Sequence, residues 1–265
     1  MMTDLEHLQR VILLIAKDID KLCRNHNIKY FLLGGSAIGA VRHKGFIPWD
    51  DDLDIVMDNE NYEKFIKVCR AELDKEKYYI QEAFVDWPMG FTKIKLRGTS
   101  FQEPGQYVNA DNECGIFLDV FKLENAPSSQ LGQRWQYLCA KYLLCYCLLE
   151  RGCTGMYGVK KLLIYAAYPV KLNFIRNFLK RQVEKWNKKK TDFRLIWTGR
   201  YRYAKSIYAK ELFDEAIYVP FEDILLPVPM KYDQLLAQIF GDYMTPPPVS
   251  EQVGLHLQGV DFGKY

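Results

Sequence analysis

The chain has 265 residues, of which 49% are hydrophobic and 26% charged, values ordinary for a globular protein with a sizeable core. Its seven cysteines include no CxxC pair, which argues against a zinc site, and no apolar run reaches the roughly eighteen residues that a membrane span needs. No basic stretch leads into an apolar segment at the N-terminus, so we expect no signal peptide and a cytoplasmic protein with reduced cysteines.

The N-terminal segment predicts a helix that packs on a sheet. Apolar residues recur at helical spacing from Thr3 to Asn25, and Thr3 with Glu6 has the capping-box pattern. The apolar run Tyr30 to Leu33 is short enough for a buried strand, and Gly34-Gly35-Ser36 ends it. A helix over Ala37 to Arg42 is expected next, with Ser36 as its N-cap.

An acidic stretch follows this helix and leads into apolar residues. Side chains alternate along a strand, so a strand here places Asp50, Asp52 and Asp54 on one face and Leu53 and Ile55 in the core. Carboxylates on one face repel each other unless a divalent cation binds between them, and hard cations prefer oxygen ligands. A solvated acidic turn is the alternative, but it does not explain the buried strand that follows.

The string RHKGFIPWDDDLDI, residues 42–55, makes the interpretation more specific. A Gly-Gly-Ser turn followed by acids on a strand resembles the nucleotidyltransferase fold, and the longer string resembles the LicD family. The best-known members of that family transfer phosphocholine from CDP-choline to cell-surface glycans, and the fukutin-related ribitol-phosphate transferases carry a similar motif. The resemblance implies an α/β fold, a nucleotidyltransferase-like mixed sheet with flanking helices and an appended, largely helical basic lobe.

The resemblance also implies roles for the residues of the motif. Asp52 and Asp54 are the expected catalytic and metal-binding carboxylates, with Asp50 and Asp51 as outer or alternative ligands. The donor's phosphates are expected to bind at the turn and after it, where backbone amides, a hydroxyl and cations are available. The residues concerned are Gly34, Gly35, Ser36, Arg42, His43 and Lys44. A histidine without such a role is the alternative for His43.

The segment up to residue 127 predicts one more helix and three strands. The helix covers Asn59 to Leu73, and Tyr78 to Ala83 is a short strand. The next strand, Phe91 to Thr99, alternates cleanly and places three cations on one face. With Thr99, the cations Lys93, Lys95 and Arg97 suit phosphate oxygens. An edge strand protected by solvated lysines is the alternative.

The third strand, residues 115–121 (GIFLDVF), is apolar except for Asp119. A buried carboxylate is costly unless it is paired or binds a metal. Because a nucleotidyltransferase site needs a third carboxylate on a neighbouring strand, the resemblance implies that Asp119 fills this catalytic and metal-binding position. An aspartate satisfied by backbone donors is the alternative.

The second half of the chain is predicted to be largely helical and basic. Leu131 to Glu150 is an apolar helix, and Tyr157 to Lys190 is a helical region broken near Pro169. The basic residues between 160 and 190 alternate with aromatic ones, which is typical of an element that binds an anionic membrane surface. A packed helix with a solvated basic face is the alternative. Nucleic acid is not an expected partner, since no nucleic-acid-binding motif accompanies the charge.

The C-terminal string 218–248 (YVPFEDILLPVPMKYDQLLAQIFGDYMTPPP) resembles the end of LicD-family domains. It predicts a strand after Glu222 and a helix from Lys231 to Phe240 that ends at Gly241. His256 either reaches the site or lies on the surface. We therefore divide the chain into a catalytic core (1–127), a helical basic lobe (128–210) and a C-terminal segment (211–265) that completes the domain.

The predicted reaction is in-line transfer of phosphocholine from CDP-choline, with CMP leaving and Mg²⁺ or Mn²⁺ bridging the diphosphate. The acceptor is a hydroxyl of a cell-surface glycan, such as lipopolysaccharide or a teichoic-acid precursor, free or lipid-linked at the inner membrane face. Asp119 is expected to hold a second metal or take the acceptor's proton.

Choline recognition calls for aromatic side chains around the quaternary ammonium. Trp49 and Trp87 are the candidates, and Phe101 and Tyr107 are also available. Two other activities stay open: transfer of ribitol- or glycerol-phosphate from a CDP donor, and nucleotidyl transfer with diphosphate release. A non-enzymatic membrane scaffold ranks last, because it leaves three carboxylates idle.

Overall fold

The computed structural model describes residues 3–102, 113–151, 159–199, 201–254 and 259–265. They form a mixed α/β fold, as predicted. The helices are α1 Asp4–Asn25, α2 Gly34–Ile38, α3 Asn59–Glu72, α4 Gln130–Glu150, α5 Val159–Ala166, α6 Asn173–Glu184 and α7 Tyr232–Phe240. The strands are β1 Phe31–Leu32, β2 Asp54–Asp58, β3 Tyr78–Gln81, β4 Thr92–Leu96, β5 Ser100–Gln102, β6 Phe117–Ala126, β7 Phe193–Leu195, β8 Ile207–Ala209, β9 Ala216–Phe221, β10 Ile224–Pro229 and β11 Gly259–Asp261.

The main sheet has the order β1-β2-β6-β4-β3. The β2–β6 pair is parallel, and the other neighbours are antiparallel. The last residues of β6 pair with β7, which pairs with β8. The segment predicted to be a helical lobe therefore contains α4, α5 and α6 but also adds two strands to the sheet.

The sheet is covered on both faces. On one face, Ile55 and Val120 pack with the buried side of α1 in the largest apolar cluster. Thr3 caps α1 by the predicted capping box with Glu6. On the other face, Trp87 and Phe91 join the inner sides of α4 and α6 in a second cluster. None of the six cysteines in the described residues forms a disulfide, and Cys153 lies outside them.

Two predictions are wrong, one about the acidic motif and one about the Gly-Gly-Ser turn. The strand β2 begins only at Asp54, so Asp50 and Asp52 precede it. The reason is that β1 pairs with β2 only up to Leu32, after which the chain turns into α2 and leaves the earlier residues without a ladder partner. Ser36 is also not an N-cap, because α2 begins at Gly34 and its N-cap position is Leu33.

The predicted lysine strand is internal. Because β4 lies between β6 and β3, the alternative of a solvated edge strand is wrong. Lys93 and Lys95 are both buried. Charged side chains in such a position need partners, and the partners determine the chemistry of this face.

The two ends of the family-like motif pack against each other. Phe46 meets Phe221 edge-on, with 4.9 Å between the ring centroids. Glu222 accepts a hydrogen bond from the Phe46 N–H (3.0 Å), and its own N–H donates to the Lys44 carbonyl (2.8 Å). The β9–β10 hairpin therefore fixes the turn that leads into the acidic residues.

We predict that Phe221→Ala lowers the free energy of unfolding by about 3–5 kcal/mol, because it removes a fully buried ring from this contact. Urea unfolding followed by circular dichroism measures the change. Leu225→Ala, in the same hairpin but 53% exposed, is the control and should leave stability nearly unchanged. Equal effects of the two substitutions would contradict the contact.

Candidate active site

A row of polar side chains crosses the main sheet. Asp54 on β2 is in register with Asp119 on β6, Asp119 with Lys93 on β4, and Lys93 with Gln81 on β3. Residues in register on neighbouring strands point to the same face of a sheet. The predicted placement of Asp54 and Asp119 on adjacent strands is confirmed.

Lys93 and Asp119 form a buried ion pair. The Lys93 Nζ lies 3.1 Å from Asp119 Oδ1, and the lysine side chain is 2% exposed. The same Nζ lies 3.0 Å from the centroid of the Phe117 ring and 5.6 Å from that of Trp87. Removing one member of such a pair leaves an uncompensated buried charge, so each side chain holds the other in place.

Carboxylates converge at the start of β2. Burial, then the charges of Asp52, Asp119 and Asp50, raise the pKa of Asp54 well above its ordinary value. Burial, then Asp52 and Asp51, raise the pKa of Asp50 to about 8. Although Asp50 and Asp52 are outside the strand, they still lie close enough to Asp54 to disfavour its ionised form.

The Gly-Gly-Ser turn is shaped by these carboxylates. Gly34 has a φ of +58°, a left-handed conformation that favours glycine. At Gly35, a Cβ would lie 2.7 Å from Asp50 Oδ2, so a side chain would displace that carboxylate. The Ser36 Oγ accepts a hydrogen bond from the Asp54 N–H at 2.8 Å, which fixes the first residue of β2. The serine hydroxyl hydrogen is still able to donate to a phosphate oxygen.

The carboxylate oxygens at this site suit a hard divalent cation that is also bound by the phosphates of the substrate. Oxygen ligands converge here, and burial together with their mutual repulsion raises the pKa of Asp54. Within the described residues, no three Asp, Glu, His or Cys side chains are arranged around one point as metal ligands. Mg²⁺ does not need such a cage, since it usually binds one or two carboxylates together with substrate phosphates and water.

Other predicted phosphate-binding residues have partners away from the row. The Lys95 Nζ donates to the Glu113 carbonyl (2.8 Å), and Arg97 pairs with the Glu113 carboxylate. The Thr99 hydroxyl donates to the Leu96 carbonyl and accepts from a backbone N–H, which holds a turn. Of the four residues predicted around β4, only Lys93 lies beside the acids.

A π-helical turn, Gly39–His43, continues α2, and Arg42, His43 and Lys44 lie at its end, away from Gly34. Arg42 donates to the Tyr243 carbonyl (2.6 Å) and to the His43 ring (2.9 Å). The His43 ring faces the edge of Trp49, with 6.2 Å between the centroids. Trp49 directly precedes Asp50 in the sequence.

The remaining aromatic candidates differ in position. Trp87 is buried and contacts Lys93 from one side, while the Arg151 guanidinium lies 5.6 Å from its ring centroid. Phe101 packs in the core against Phe117. Tyr107 and His256 lie outside the described residues.

Two residues near the row were not predicted. Burial, and then the nearby Asp54 carboxylate, raise the pKa of the Tyr201 phenol to about 12. Gln81 is 1% exposed, and its Nε2 has no hydrogen-bond partner among the described residues. Gln81 could be placed only through the β3–β4 register, and Tyr201 comes from a segment whose sequence carries no motif.

All four residues of the row lie in a segment that matches a known protein family. Residues 27–137 match the family described as "LicD/FKTN/FKRP, nucleotidyltransferase domain". The segment that carries the row is therefore similar to a LicD-family nucleotidyltransferase domain. The chain is also 29% identical to the lipopolysaccharide cholinephosphotransferase LicD of Haemophilus influenzae over 257 residues, which is 94% of this chain and 95% of that protein.

Shorter similarity exists to two uncharacterised proteins of Rickettsia prowazekii and Rickettsia typhi. Each is 49% identical over 47 residues, or 18% of this chain. These matches cover 18% and 15% of the two relatives and therefore support no argument about the whole chain.

We predict that the carboxylates at the start of β2 make stability fall with rising pH in the absence of divalent cations. The folded state binds protons at Asp50 and Asp54 more tightly than the unfolded chain, so stability is lost as pH rises from the ordinary value of 3.8 to about 8. Thermal unfolding with a chelator, at several pH values, measures this slope.

Asp54→Asn should make that fall smaller and leave the protein at pH 8 as stable as the parent or more so, because one buried like charge is gone. Glu76→Gln, an exposed carboxylate before β3, is the control and should keep the parent slope. A variant at Asp54 that fails to fold would show that this carboxylate is structural.

A second prediction concerns the unpaired amide of Gln81. Gln81→Met removes a buried donor but keeps the shape, so the free energy of unfolding should stay the same or rise. Gln136 is equally buried, but its Nε2 donates to the Asn125 and Val183 carbonyls (2.8 and 2.7 Å). Gln136→Met should therefore lower stability by about 1–3 kcal/mol. An equal loss from Gln81→Met would show that a bound water or ligand pairs that nitrogen.

Proposed function

We propose that this protein transfers phosphocholine from CDP-choline to lipopolysaccharide or a related cell-surface glycan, in a reaction that needs Mg²⁺ or Mn²⁺. The chain is a phosphotransferase of the LicD type. The observation that carries the proposal is similarity to a lipopolysaccharide cholinephosphotransferase along nearly the full length of both chains. The carboxylate row lies inside the matched domain.

The chemistry would be a single in-line displacement at the phosphorus that carries choline. The acceptor hydroxyl oxygen forms a bond to that phosphorus, the bond to the CMP oxygen breaks, and CMP leaves with the bonding electrons. Asp119 would accept the proton of the acceptor hydroxyl. Lys93, 3.1 Å from Asp119 Oδ1, balances the carboxylate's charge and holds its orientation.

The metal would be held by Asp54 with Asp52 and Asp50. When bound, it neutralises charge on the diphosphate and on the departing CMP. Ser36 keeps Asp54 in position through the Asp54 N–H. Gly35 has no side chain, and this leaves room for the Asp50 carboxylate.

Trp49 is the better candidate for the trimethylammonium group. Trp87 already has the Lys93 ammonium and the Arg151 guanidinium each at 5.6 Å from its ring, and a third cation there would be repelled. Trp49 is half-buried, follows the far end of the glycine turn and is adjacent in sequence to Asp50. An aromatic face beside carboxylates suits a quaternary ammonium.

The acceptor would be reached at the inner face of the membrane. Lipopolysaccharide and lipid-linked glycans carry their sugars on a lipid, so an enzyme that modifies them before export works next to a bilayer. No helix among the described residues is long and apolar enough to cross a membrane. Peripheral binding through the region 160–190, together with a cytoplasmic location, is therefore part of the proposal.

A donor screen tests the proposal. The protein is incubated with CDP-choline, CDP-ribitol, CDP-glycerol or CTP, with a glycan acceptor and Mg²⁺, and release of CMP and of diphosphate is measured. We expect CMP release with CDP-choline and none of it after chelation. Binding of the preferred donor should also raise the unfolding temperature.

Asp54→Asn and Asp119→Asn should each lower turnover by at least about a hundredfold, because metal bridging and proton transfer supply several kcal/mol to the transition state. Glu76→Gln is the control and should keep the parent rate. Diphosphate release from CTP would indicate nucleotidyl transfer instead. Near-normal turnover of either Asn variant would falsify the site.

A further inference from the structure

The helical lobe exposes an unusual amount of apolar surface. Nine of the seventeen large apolar side chains that are exposed among the described residues lie between residues 131 and 178. On α4, Leu131, Trp135 and Leu138 are more than half exposed, and their spacing places them on one side of the helix. The opposite side of α4 is buried and includes Cys139 and Leu143.

A second apolar stripe lies on α6. Phe174 is 71% and Phe178 49% exposed, and they are one helical turn apart. The segment between α4 and α6, residues 162–172, adds four more exposed apolar side chains. Single exposed apolar residues are normal, but several on neighbouring elements mark an interaction surface.

The two stripes are adjacent. The helices α4 and α6 pack antiparallel, because Gln136 bonds to the Val183 carbonyl near one end and Arg176 bonds to Tyr146 near the other. The Trp135 Nε1 donates to Gln182 Oε1 at 3.1 Å. Gln182 continues the side of α6 that carries Phe174 and Phe178. We call these stripes of α4 and α6, with the exposed residues of 162–172, the apolar face.

The charge around the apolar face is almost entirely positive. Residues 130–190 contain thirteen Lys and Arg but only two acids, Glu150 and Glu184. Both acids are in ion pairs, Glu150 with Lys171 (3.1 Å) and Glu184 with Lys122 (3.6 Å). Arg134, Arg181 and Lys185 are exposed next to the apolar side chains.

We infer that the apolar face docks on an anionic lipid bilayer, with Leu138 and Phe178 inserted among the acyl chains and Trp135 at the headgroup level. Apolar and aromatic side chains ringed by lysine and arginine are the chemistry of interfacial membrane helices. The sequence pattern alone predicts a membrane-binding element of alternating basic and aromatic residues between 160 and 190. The structure adds α4 and makes apolar insertion the main contribution.

A lipid surface is a better occupant than a second copy of this chain. A second copy would bring an equally basic surface against this one, and like charges across an interface are unfavourable. An anionic bilayer instead supplies negative charge around an apolar interior. The inference rests on the proposed function in one respect: the lipid-linked acceptor proposed above explains why the enzyme would bind a membrane.

Co-sedimentation with vesicles tests the inference without turnover. The protein should sediment with phosphatidylglycerol–phosphatidylethanolamine vesicles and much less with phosphatidylcholine vesicles, and added salt should weaken binding only in part. The double variant Leu138→Ser/Phe178→Ser should bind at least about tenfold more weakly. Leu225→Ser is the control, because Leu225 is 53% exposed but lies on β10, and it should bind like the parent.

The depth at which Trp135 lies in the bilayer is measured by quenching of tryptophan fluorescence with brominated lipids. The parent should be quenched, and Trp135→Phe should be quenched less than the parent, because Trp135 is 51% exposed whereas Trp87 and Trp197 are buried and Trp49 and Trp186 are only partly exposed. Absence of vesicle binding at low salt, parent-like binding of the double variant, or unquenched fluorescence each overturns the inference. So does a dimer in sedimentation velocity that the double variant dissociates.

Two further measurements keep this inference separate from the proposed function. The double variant should transfer phosphocholine to a soluble glycan fragment at the parent rate. Asp54→Asn, which lies outside the apolar face, should still bind vesicles. Failure of vesicle binding with intact transfer overturns the inference alone, and failure of transfer with intact vesicle binding overturns the proposed function alone.

Discussion

Repulsion among carboxylates at the start of β2 is the constraint on which the rest of the structure depends. Asp54 is buried and faces the charges of Asp52, Asp119 and Asp50, while the Lys93 ammonium acts in the opposite direction and lowers the pKa of Asp54. The chain cannot relax this repulsion by moving Asp54, because the strand that carries it is fixed from both sides. β1 and the Ser36 hydroxyl hold it on one side, and β6 holds it in parallel register on the other.

The opposite face of the sheet provides the free energy that makes this arrangement tolerable. Ile55 and Val120 alternate with the acids and are almost fully buried against α1. Burial of such side chains contributes about 1.5–3 kcal/mol each, so the strands keep their register although the polar face opposes it. In these strands, the apolar face provides stability and the polar face carries the reactive side chains.

The C-terminal segment explains why family-like motifs occur at both ends of the chain. The β9–β10 hairpin holds the turn at Phe46, and a Cβ on Gly254 would lie 3.0 Å from Asp51 Oδ2. The strand β11 pairs with β5. The acidic loop is therefore enclosed by residues that come more than 150 positions later, so the short pattern alone does not specify its conformation.

The sequence was informative where one residue had one strong local preference. The capping box of α1, the buried strand around Asp119 and the end of α7 at Gly241 follow from such preferences and are confirmed. Prediction from the sequence failed where strand pairing or side-chain partners distant in the sequence decided the structure. Alternation predicted a strand at Asp50 and Asp52, but β1 ends too early to pair with them. Alternation also predicted one row of phosphate-binding cations on β4, yet Lys95 and Arg97 are held at Glu113 instead.

The orientation of α4 shows how a few polar groups decide what hydrophobicity leaves open. This helix has apolar side chains on both sides, so burial of apolar area does not determine which side faces the sheet. Gln133 and Gln136 decide it, because both are buried and need partners. Gln133 donates to the Pro127 carbonyl (2.9 Å) and accepts from the Tyr203 hydroxyl (2.9 Å), while Gln136 donates to two carbonyls. Rotating the helix to bury Leu131, Trp135 and Leu138 would break these bonds. The amides therefore keep the apolar stripe turned outward, at the free-energy cost of exposing it to water.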